Sequence, residues 1–536
     1  MKNILAICGV SICLAACASM NSNSSAEPGG MDTGGAKVAF QEPIDFIPSA
    51  LGSYDWKIST DNERAQQYFK QGMQLRYAYN IDEAARSMAE ARRLDPECAM
   101  CYWGEAFALG SFLNGVMSAE KGPYAHAAIE KAVTLAGDVS DVERDLIMAA
   151  RVRYPAEWNP ENRRPVDEAF AAEMAKVYEK YPGNHEVAVV YGVALFMLEE
   201  RRGYRDNADP DLIRLHGVLT DVLEENIAHP GACHLYIHAT ESSQTPGRAL
   251  PCAEYLSDAV PVASHIQHMP SHTWNEVGHW GKSVRANTRA RQSDLKAAES
   301  KGFSYAAWHN LHMLLFAASY DGQGAAATQA GKDYRKVTNN AMYEVLTLVR
   351  FGRFDEVVEK DNRPTDEVGA ALWDFAFGYA SLKEGDIATA KSMRDQTLEF
   401  AATTDKRFRF HPAGRVVGTV AHILEGEILW TEGDLTGAIA AFEKAAEVED
   451  SMDYDEPEPL PFAARHWLGA ALMEAGRHTE AEAHYRVELK DHPHDVWSLH
   501  GLKAALAAQG KTDPDVDTDF EMSTARVDAW ITASKF

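Results

Sequence analysis

The chain has 536 residues, of which 46% are hydrophobic and 24% are charged, a composition typical of a folded protein. Its 79 acidic and 52 basic residues give a formal net charge of −27. Because like charges repel, this balance disfavours nucleic-acid backbones and anionic lipid surfaces as partners and favours a metal ion, another cationic ligand or a basic protein.

The N-terminus has the pattern of a secretory signal. Lys2 precedes an apolar run at 4–16 that is too short to span a membrane. Residues 14–17, Leu-Ala-Ala-Cys, resemble the lipobox of bacterial lipoproteins. The resemblance implies a signal peptide at 1–17 and a lipid on Cys17. With Ala18 next, it also implies a protein on the periplasmic side of the envelope, at the outer membrane, that meets the membrane only through its anchor. The alternative is an ordinary signal peptide that ends near a cysteine.

Domain boundaries follow from composition. Residues 18–50 are rich in Ser, Asn, Gly and Pro, which predicts a flexible tether. The folded part is then 51–536, and 486 residues are more than one conventional core usually holds. This length favours several domains or a repeat architecture.

Four cysteines remain after the signal and anchor: Cys98, Cys101, Cys233 and Cys252. In an oxidising periplasm four thiols can form two disulfides, with three connectivities. Cys98 and Cys101 have the spacing of a local disulfide, and a buried pair of thiols or a metal role are the alternatives. Cys233 precedes His234 directly, so a ligand role for Cys233 also stays open.

One spacing recurs along the chain. A glycine is followed by alanine after 12 residues, by a large residue after 4 more and by alanine after another 3. The pattern occurs at Gly72, Ala84, Met88, Ala91 and Pro96, at Gly426, Ala438, Phe442 and Ala445, and in part at Gly469, Ala481, Tyr485 and Pro493. Small residues suit the close crossing of two helices, and proline ends the second helix.

This spacing resembles the tetratricopeptide repeat, a helix-turn-helix unit of 34 residues. The resemblance implies an all-α solenoid, a right-handed superhelix of antiparallel helical hairpins, and degenerate units over 51–536 predict on the order of ten hairpins. No sustained period-two run and no Gly-rich phosphate loop is visible, which argues against a sheet domain. A helical bundle that is not a solenoid is the alternative fold.

Histidines concentrate in the central repeats at 230–320. Eight of the twenty lie between residues 234 and 312, and these are His234, His238, His265, His268, His272, His279, His309 and His312. His234, His238 and Glu241 are spaced i, i+4, i+7, which places them on one side of a helix. The sets at 265, 268 and 272 and at 309 and 312 have similar spacing. His279 is beside the Gly278 turn and is interpreted as structural.

Each histidine set falls on the first helix of a predicted hairpin. The first hairpin starts at Pro230 and returns over 249–260, the second first helix covers 263–276, and the third covers 303–319. In tetratricopeptide proteins the first helices line the concave surface, so the resemblance implies three histidine sets on one inner wall. Pro270 complicates the second helix, which either kinks or restarts there.

Imidazole and carboxylate groups are the usual ligands of zinc, copper and non-haem iron. We therefore predict a transition-metal site for one or two ions, with candidate ligands His234, His238, Glu241, His265, His268, His272, His309 and His312. Glu241 is either a ligand or a base toward bound water. The segments that carry these residues are similar to those of a His-rich branch of bacterial tetratricopeptide lipoproteins with no established reaction. The activity stays open between a hydrolase, an oxidase and metal storage or delivery.

Two rival functions have no such metal site. A scaffold for envelope assembly would bind protein or peptide partners in the concave groove, where histidines would hydrogen-bond a partner's backbone. Haem held by axial histidines is the other alternative, although Tyr102 stands where c-type attachment after Cys101 needs a histidine.

Two further groups are predicted to be solvated. The C-terminal histidines share no face and are interpreted as surface residues: His466, His478, His484, His492, His494 and His500. The acidic run within 449–458 lacks the spacing and the glycine of a calcium loop, so it is predicted to form a solvated loop between repeats.

Overall fold

The computed structural model describes residues 40–48, 52–199, 203–299 and 302–536. The predicted signal peptide, the anchor at Cys17 and most of the predicted tether lie outside the described residues. Within the described part, none of the helices combines the length and the hydropathy that crossing a membrane requires.

Twenty-five α-helices follow one another along the described chain, and each packs against the next one in sequence. The first twelve helices are α1 (Glu63–Tyr77), α2 (Ile81–Leu94), α3 (Ala99–Leu109), α4 (Gly122–Leu135), α5 (Asp141–Arg151), α6 (Arg164–Lys180), α7 (His185–Phe196), α8 (Pro210–Glu225), α9 (Pro230–Thr240), α10 (Leu250–Ala259), α11 (Ser264–His268) and α12 (Pro270–Glu276). The others are α13 (Trp280–Ala297), α14 (Ala307–Tyr320), α15 (Gly324–Thr338), α16 (Met342–Arg350), α17 (Phe354–Val358), α18 (Glu367–Lys383), α19 (Ile387–Thr403), α20 (Ala413–Thr431), α21 (Leu435–Asp450), α22 (Arg465–Glu474), α23 (His478–Asp491), α24 (Val496–Ala508) and α25 (Pro514–Thr524). Two short antiparallel strands, β1 (Arg407–Phe408) and β2 (His411–Pro412), precede α20.

The repeated spacing has the packing role that the sequence predicts. A Cβ added at Gly426 in α20 would contact the ring of Phe442 in α21, the large residue of the same unit. A Cβ at Gly469 in α22 would meet the ring of Tyr485 in α23 in the same way. The absence of a side chain therefore lets paired helices approach closely, and the prediction of an all-α chain of helical hairpins is confirmed.

The folded part begins earlier than predicted. Residues 40–48 pack against α1, where Ile44 is buried and the Phe46 ring contacts Tyr68 at 5.6 Å. The Tyr68 hydroxyl donates a hydrogen bond to the Ile44 carbonyl at 3.2 Å. The predicted tether boundary at residue 50 is therefore wrong, because apolar residues in this stretch outweigh its composition of turn formers.

Both pairs of remaining cysteines are disulfide-bonded. Cys98 is joined to Cys101 at the start of α3, which matches the predicted local disulfide. Cys233 in α9 is joined to Cys252 in α10. The alternative that Cys233 is a metal ligand is wrong, because its sulfur is bonded to another sulfur.

Two hydrophobic cores follow each other in sequence and meet at the central hairpins. The first extends over the helices before α13 and includes Ala286 of α13, and the second includes Trp280 and Val284 of α13 and the helices after it. C-terminal segments return to the central hairpins: the Trp497 indole N–H donates to the Ser319 carbonyl at 2.8 Å, and Trp280 donates to the Pro493 carbonyl at 2.9 Å. The histidine-bearing helices lie inside the molecule, with α9, α11 and α12 in the first core and α14 in the second.

Candidate metal centre

Helix α9 positions the first histidines. It begins at Pro230, where the side chain of His229 accepts a hydrogen bond from the Ala232 N–H at 3.2 Å. His234 and His238 follow one helical turn apart, and Glu241 is the C-cap residue. The predicted start of the first hairpin at Pro230 is thereby confirmed, and its predicted return over 249–260 corresponds to α10.

The predicted helix over 263–276 is two helices. Pro270 is at the first turn of α12, where its missing N–H costs no helical hydrogen bond. His268 therefore ends α11 and His272 lies in α12, with Met269 in helical conformation between the two helices. Helix α14 begins at Ala307, after a left-handed residue at Ala306, because Phe303 is instead hydrogen-bonded to the 262–264 backbone.

The first group of histidines, here called group A, is His234, His238 and His265. One nitrogen of each lies within 4.8 Å of the others. Nε2 of His234 is 3.2 Å from Nε2 of His265. Nδ1 of His234 is 2.5 Å from the Tyr77 carbonyl oxygen, which can only accept, so Nδ1 donates and Nε2 carries the lone pair.

The second group, here called group B, is His268, His272 and His309, and it also has one nitrogen of each residue within 4.8 Å. Nε2 of His268 is 2.9 Å from Nε2 of His272. The His268 Nδ1 donates to the Asn287 Oδ1 at 3.1 Å, so its Nε2 carries the lone pair. His309 packs edge-on against His268, with ring centroids 4.6 Å apart.

Glu241 connects the two groups. Its Oε1 accepts from Nδ1 of His238 at 2.9 Å, and its Oε2 accepts from Nδ1 of His272 at 2.6 Å. The Glu456 carboxylate is 3.2 Å from the same nitrogen of His272. These four residues also have ligand atoms within 4.8 Å of one another. The distances involving Glu241 are those of charge-assisted hydrogen bonds, which makes its carboxylate a shared support for one histidine of each group.

Burial governs the protonation of the cluster. All these histidines except the half-buried His309 are at most 2% exposed, as is Glu241. Burial lowers the pKa of His234, His265, His268 and His309, and neighbouring histidines lower it further. Neutral imidazole is the form that binds metal.

The pair of His272 and Glu241 behaves differently. Burial raises the pKa of Glu241, and the charge of Glu456 adds to that rise. Burial opposes charge on His272, but the Glu241 carboxylate outweighs it and raises the pKa of His272. The two residues therefore hold a proton between them.

His312 is not brought to the cluster. Its Nδ1 is 3.0 Å from a guanidinium nitrogen of Arg409, and its ring lies 4.3 Å from the Tyr343 ring. Seven of the eight predicted ligands thus lie together, in two groups with a shared carboxylate, while His312 belongs to a separate contact. Burial and the charge of Arg409 lower the pKa of His312.

Segments distant in sequence enclose the cluster, so the expected open concave wall is an interior site. The Tyr79 ring lies 4.4 Å from His234 and 5.0 Å from His265. On the other side, Arg409 donates to the Asp455 carboxylate and to the Glu456 carbonyl, both at 2.7 Å. Sequence reasoning missed Tyr79, Asn287, Arg409 and Glu456 as part of the site.

The acidic run is not a solvated loop throughout. Asp455 and Glu456 are buried, and Glu456 contacts the histidine cluster. The prediction was wrong because carboxylates that are paired with Arg409 and His272 can be buried. The signal available in the sequence was an acidic run that contains prolines, in a chain that also has a histidine-rich region.

Two C-terminal histidines are also buried, contrary to the prediction. His466 Nε2 donates to the Asp495 carboxylate at 2.8 Å, and His492 Nδ1 is 2.6 Å from Glu488. Their carboxylate partners make burial possible, and those partners come from other turns and helices. His478, His484, His494 and His500 are half-buried.

The separations within the two groups fit metal coordination. Two ligands at about 2.0–2.1 Å from a tetrahedral ion are about 3.3 Å apart. The Nε2 atoms of His234 and His265 lie 3.2 Å apart, close to that value. With outer hydrogen bonds already made from Nδ1 by His234, His238, His268 and His272, the arrangement can hold an ion on three imidazoles in each group.

The repeated helical hairpins and the buried histidine cluster make this protein an α-helical repeat protein with a polar centre. The family model of the tetratricopeptide repeat matches residues 423–496. Residues 423–496 therefore match the tetratricopeptide repeat, which supports the resemblance seen in the spacing at Gly426 and Gly469. None of the curated proteins matches the chain.

Solved structures with partial similarity span most of the chain. Yeast Tom70 aligns with 86% of this chain and 93% of its own at 12% identity, with a TM-score of 0.32. The human IFIT1 dimer with m7Gppp-AAAA aligns with 87% and 91% at 13% identity, with a TM-score of 0.30. The Cut9-Hcn1 hetero-tetramer of the APC/C aligns with 89% and 76% at 14% identity, with a TM-score of 0.28.

Proposed function

We propose that the protein is a metalloprotein that holds two transition-metal ions, one on group A and one on group B. The observation that carries this proposal is the contact between Nε2 of His268 and Nε2 of His272 at 2.9 Å. Asn287 and Glu241 each accept a hydrogen bond from Nδ1 of one of these rings. Because the pKa of His272 is raised, its Nε2–H donates to the lone pair of His268 Nε2 when no ion is bound, and a metal ion would take the place of that proton between the two nitrogens.

Group A supports the proposal independently. The carbonyl of Tyr77 and the carboxylate of Glu241 accept from Nδ1 of His234 and His238, so the Nε2 atoms carry the lone pairs. A histidine ligand that donates its other N–H to a carbonyl or carboxylate is the usual arrangement around a protein-bound metal. A proton shared between His272 and Glu241 accounts for one contact in group B, but for none in group A.

Zinc, copper and iron are the metals that suit three neutral imidazoles. Three protein ligands leave a coordination position for water or substrate. In this arrangement Glu241 orients one ligand of each ion instead of binding either one. The reaction class stays open between metal-assisted hydrolysis, oxidation and metal transfer.

The proposed location is the periplasmic side of the envelope, with a lipid on Cys17. Two disulfides support an oxidising compartment. The lipobox-like Leu-Ala-Ala-Cys segment at 14–17 supports the anchor.

Metal analysis of the detergent-solubilised full chain tests the metal proposal. After metal loading and dialysis we expect about two equivalents of one transition metal per chain, and none in the His238→Ala/His272→Ala double variant. His185→Ala is the matched control, because His185 lies outside the cluster and is bonded to Glu225 at 3.0 Å. A wild-type chain that binds no ion on titration with zinc, copper and iron would overturn the proposal.

A second function is protein binding, which the tetratricopeptide match at 423–496 favours. Repeat proteins of this kind bind partners on extended surfaces. The chain's own 455–459 segment covers the histidine cluster, so a partner would bind a different face. Binding that persists in the metal-free double variant would support a scaffold role apart from the metal.

A further inference from the structure

A cavity of about 520 Å³ adjoins group B. His272 and Glu456 belong to its wall, together with Trp280, Met313 and Phe316. Asp453 and Asp491, which are exposed, also line it. The cavity therefore extends from the surface to a histidine of the proposed metal centre, and its size is that of a small-molecule site.

The wall of this cavity is strongly acidic. Nine of its lining residues are Asp or Glu, against one arginine and one lysine, Arg465 and Lys490. Several carboxylates have cationic partners, as Asp450 has in Arg465 at 2.6 Å. Glu276, Asp453 and Asp491 have no ion-pair partner within the described chain. A cation is the ligand that this field favours.

A buried amide gives a second, independent indication of a ligand. Asn275 is 6% exposed and lines the cavity one helical position before Glu276. Its Nδ2 donates weakly to the Met313 sulfur at 3.8 Å, and its Oδ1 has no hydrogen-bond partner among the described residues. A buried acceptor without a donor is costly, and an ammonium or amidinium group would supply the donor.

We infer that this cavity binds a small organic cation, an alkylamine or a guanidine, as the ligand that is presented to the metal centre. That the cation is presented to a metal ion rests on the proposed function. The cavity volume is far larger than a bare ion needs, and Trp280, Met313 and Phe316 offer apolar surface to a carbon chain. The carboxylates bind its charged ends, and the end nearest His272 lies beside group B.

The carboxylates at the cavity repel one another, which makes each one harder to ionise. Burial and the charge of Glu458 raise the pKa of Glu276 to about 8. A bound cation would offset that repulsion, so binding is expected to be coupled to loss of a proton from the cavity wall.

Spermidine, titrated calorimetrically at about 150 mM salt, is the probe; that ionic strength screens exposed charges beyond roughly 8 Å. We expect one saturable site per chain and an affinity lower by about 10-fold or more in Asp453→Asn/Asp491→Asn, since charge-assisted bonds are lost. Glu447→Gln is the matched control, because Glu447 is an exposed carboxylate on α21 outside the cavity. Asn275→Ala, measured alongside, should also weaken binding.

Outcomes separate this inference from the metal proposal, because metal content is measured on every variant. Normal metal content without saturable spermidine binding overturns the cavity assignment alone. Spermidine binding without any metal leaves the cavity standing and removes the metal centre. Equal weakening in Glu447→Gln would show general attraction to a chain of charge −27, and saturable binding of Ca²⁺ instead of spermidine would overturn an organic ligand.

Discussion

The chain buries histidines in two regions, and the two are built differently. In groups A and B, imidazole nitrogens face one another: Nε2 of His268 is 2.9 Å from Nε2 of His272. In the C-terminal repeats, buried His466 and His492 face carboxylates at 2.8 and 2.6 Å. In His466 and His492 both ring nitrogens face partners that are not histidines, whereas in groups A and B the second nitrogen of a ring faces another imidazole, the arrangement that the proposed metal ions would occupy. Burial alone does not distinguish a ligand from a structural histidine; the partner does.

The sharpest test compares an alanine substitution at one histidine of each region. His466→Ala should leave the metal content at the wild-type value and cost about 3 kcal/mol of stability, because buried Asp495 loses its histidine partner and keeps only backbone N–H donors. His268→Ala should remove the ion of group B. Metal analysis and thermal unfolding of both variants check this, and loss of metal from His466→Ala would contradict the division.

The C-terminal pair should also have its own pH dependence. Burial alone would raise the pKa of Asp495, but His466 outweighs burial and lowers it to about 2. A folded pKa below the unfolded value of about 3.9 gives stability that is present above pH 4 and is lost as pH falls toward 2, about 2–3 kcal/mol in all.

Denaturation of Asp495→Asn and wild type at pH 5 and pH 2.5 measures this contribution. The stability difference between them should shrink by about 2 kcal/mol at the lower pH. Asp395→Asn, at an exposed carboxylate, is the control and should show no such change. A difference that is constant with pH would contradict the role of Asp495.

Glu241→Gln tests the shared carboxylate. Its two oxygens accept from His238 and His272, and a glutamine has only one acceptor oxygen, so one N–H loses its partner. We expect metal affinity to fall by about 10–100-fold. Competition with a chromophoric chelator measures this.

Glu425→Gln is matched to that variant, because Glu425 pairs with His422 at the same i, i+3 spacing outside the cluster. It should bind metal as wild type does. An unchanged metal affinity in Glu241→Gln would contradict the proposal that Glu241 orients His238 and His272 for metal binding.

The smallest effect on metal is expected at His312. Although the sequence places it among the candidate ligands, its Nδ1 contacts Arg409. His312→Ala should keep the full metal content and lower the unfolding temperature. A loss of one equivalent on metal analysis would show that His312 moves to an ion when one is bound.

The sequence by itself determined the helices, their repeat and the face on which His234, His238 and Glu241 lie. Those features depend on hydrogen bonds within a turn and on small residues at crossings such as Gly426, which are local in sequence. It also located the break at Pro270, because proline acts on its own turn.

Only the tertiary structure decided that the histidines divide into two groups, that Glu241 supports both, and that Glu456 reaches His272. It likewise decided that Arg409 diverts His312 and that Asp495 pairs with His466. Each outcome depends on how helices far apart in the chain pack, because a long-range contact is fixed by the whole core and not by the spacing of its residues. Charge pairing then decides which polar groups are buried, and the sequence of an acidic run does not show which distant residues will pair with its carboxylates.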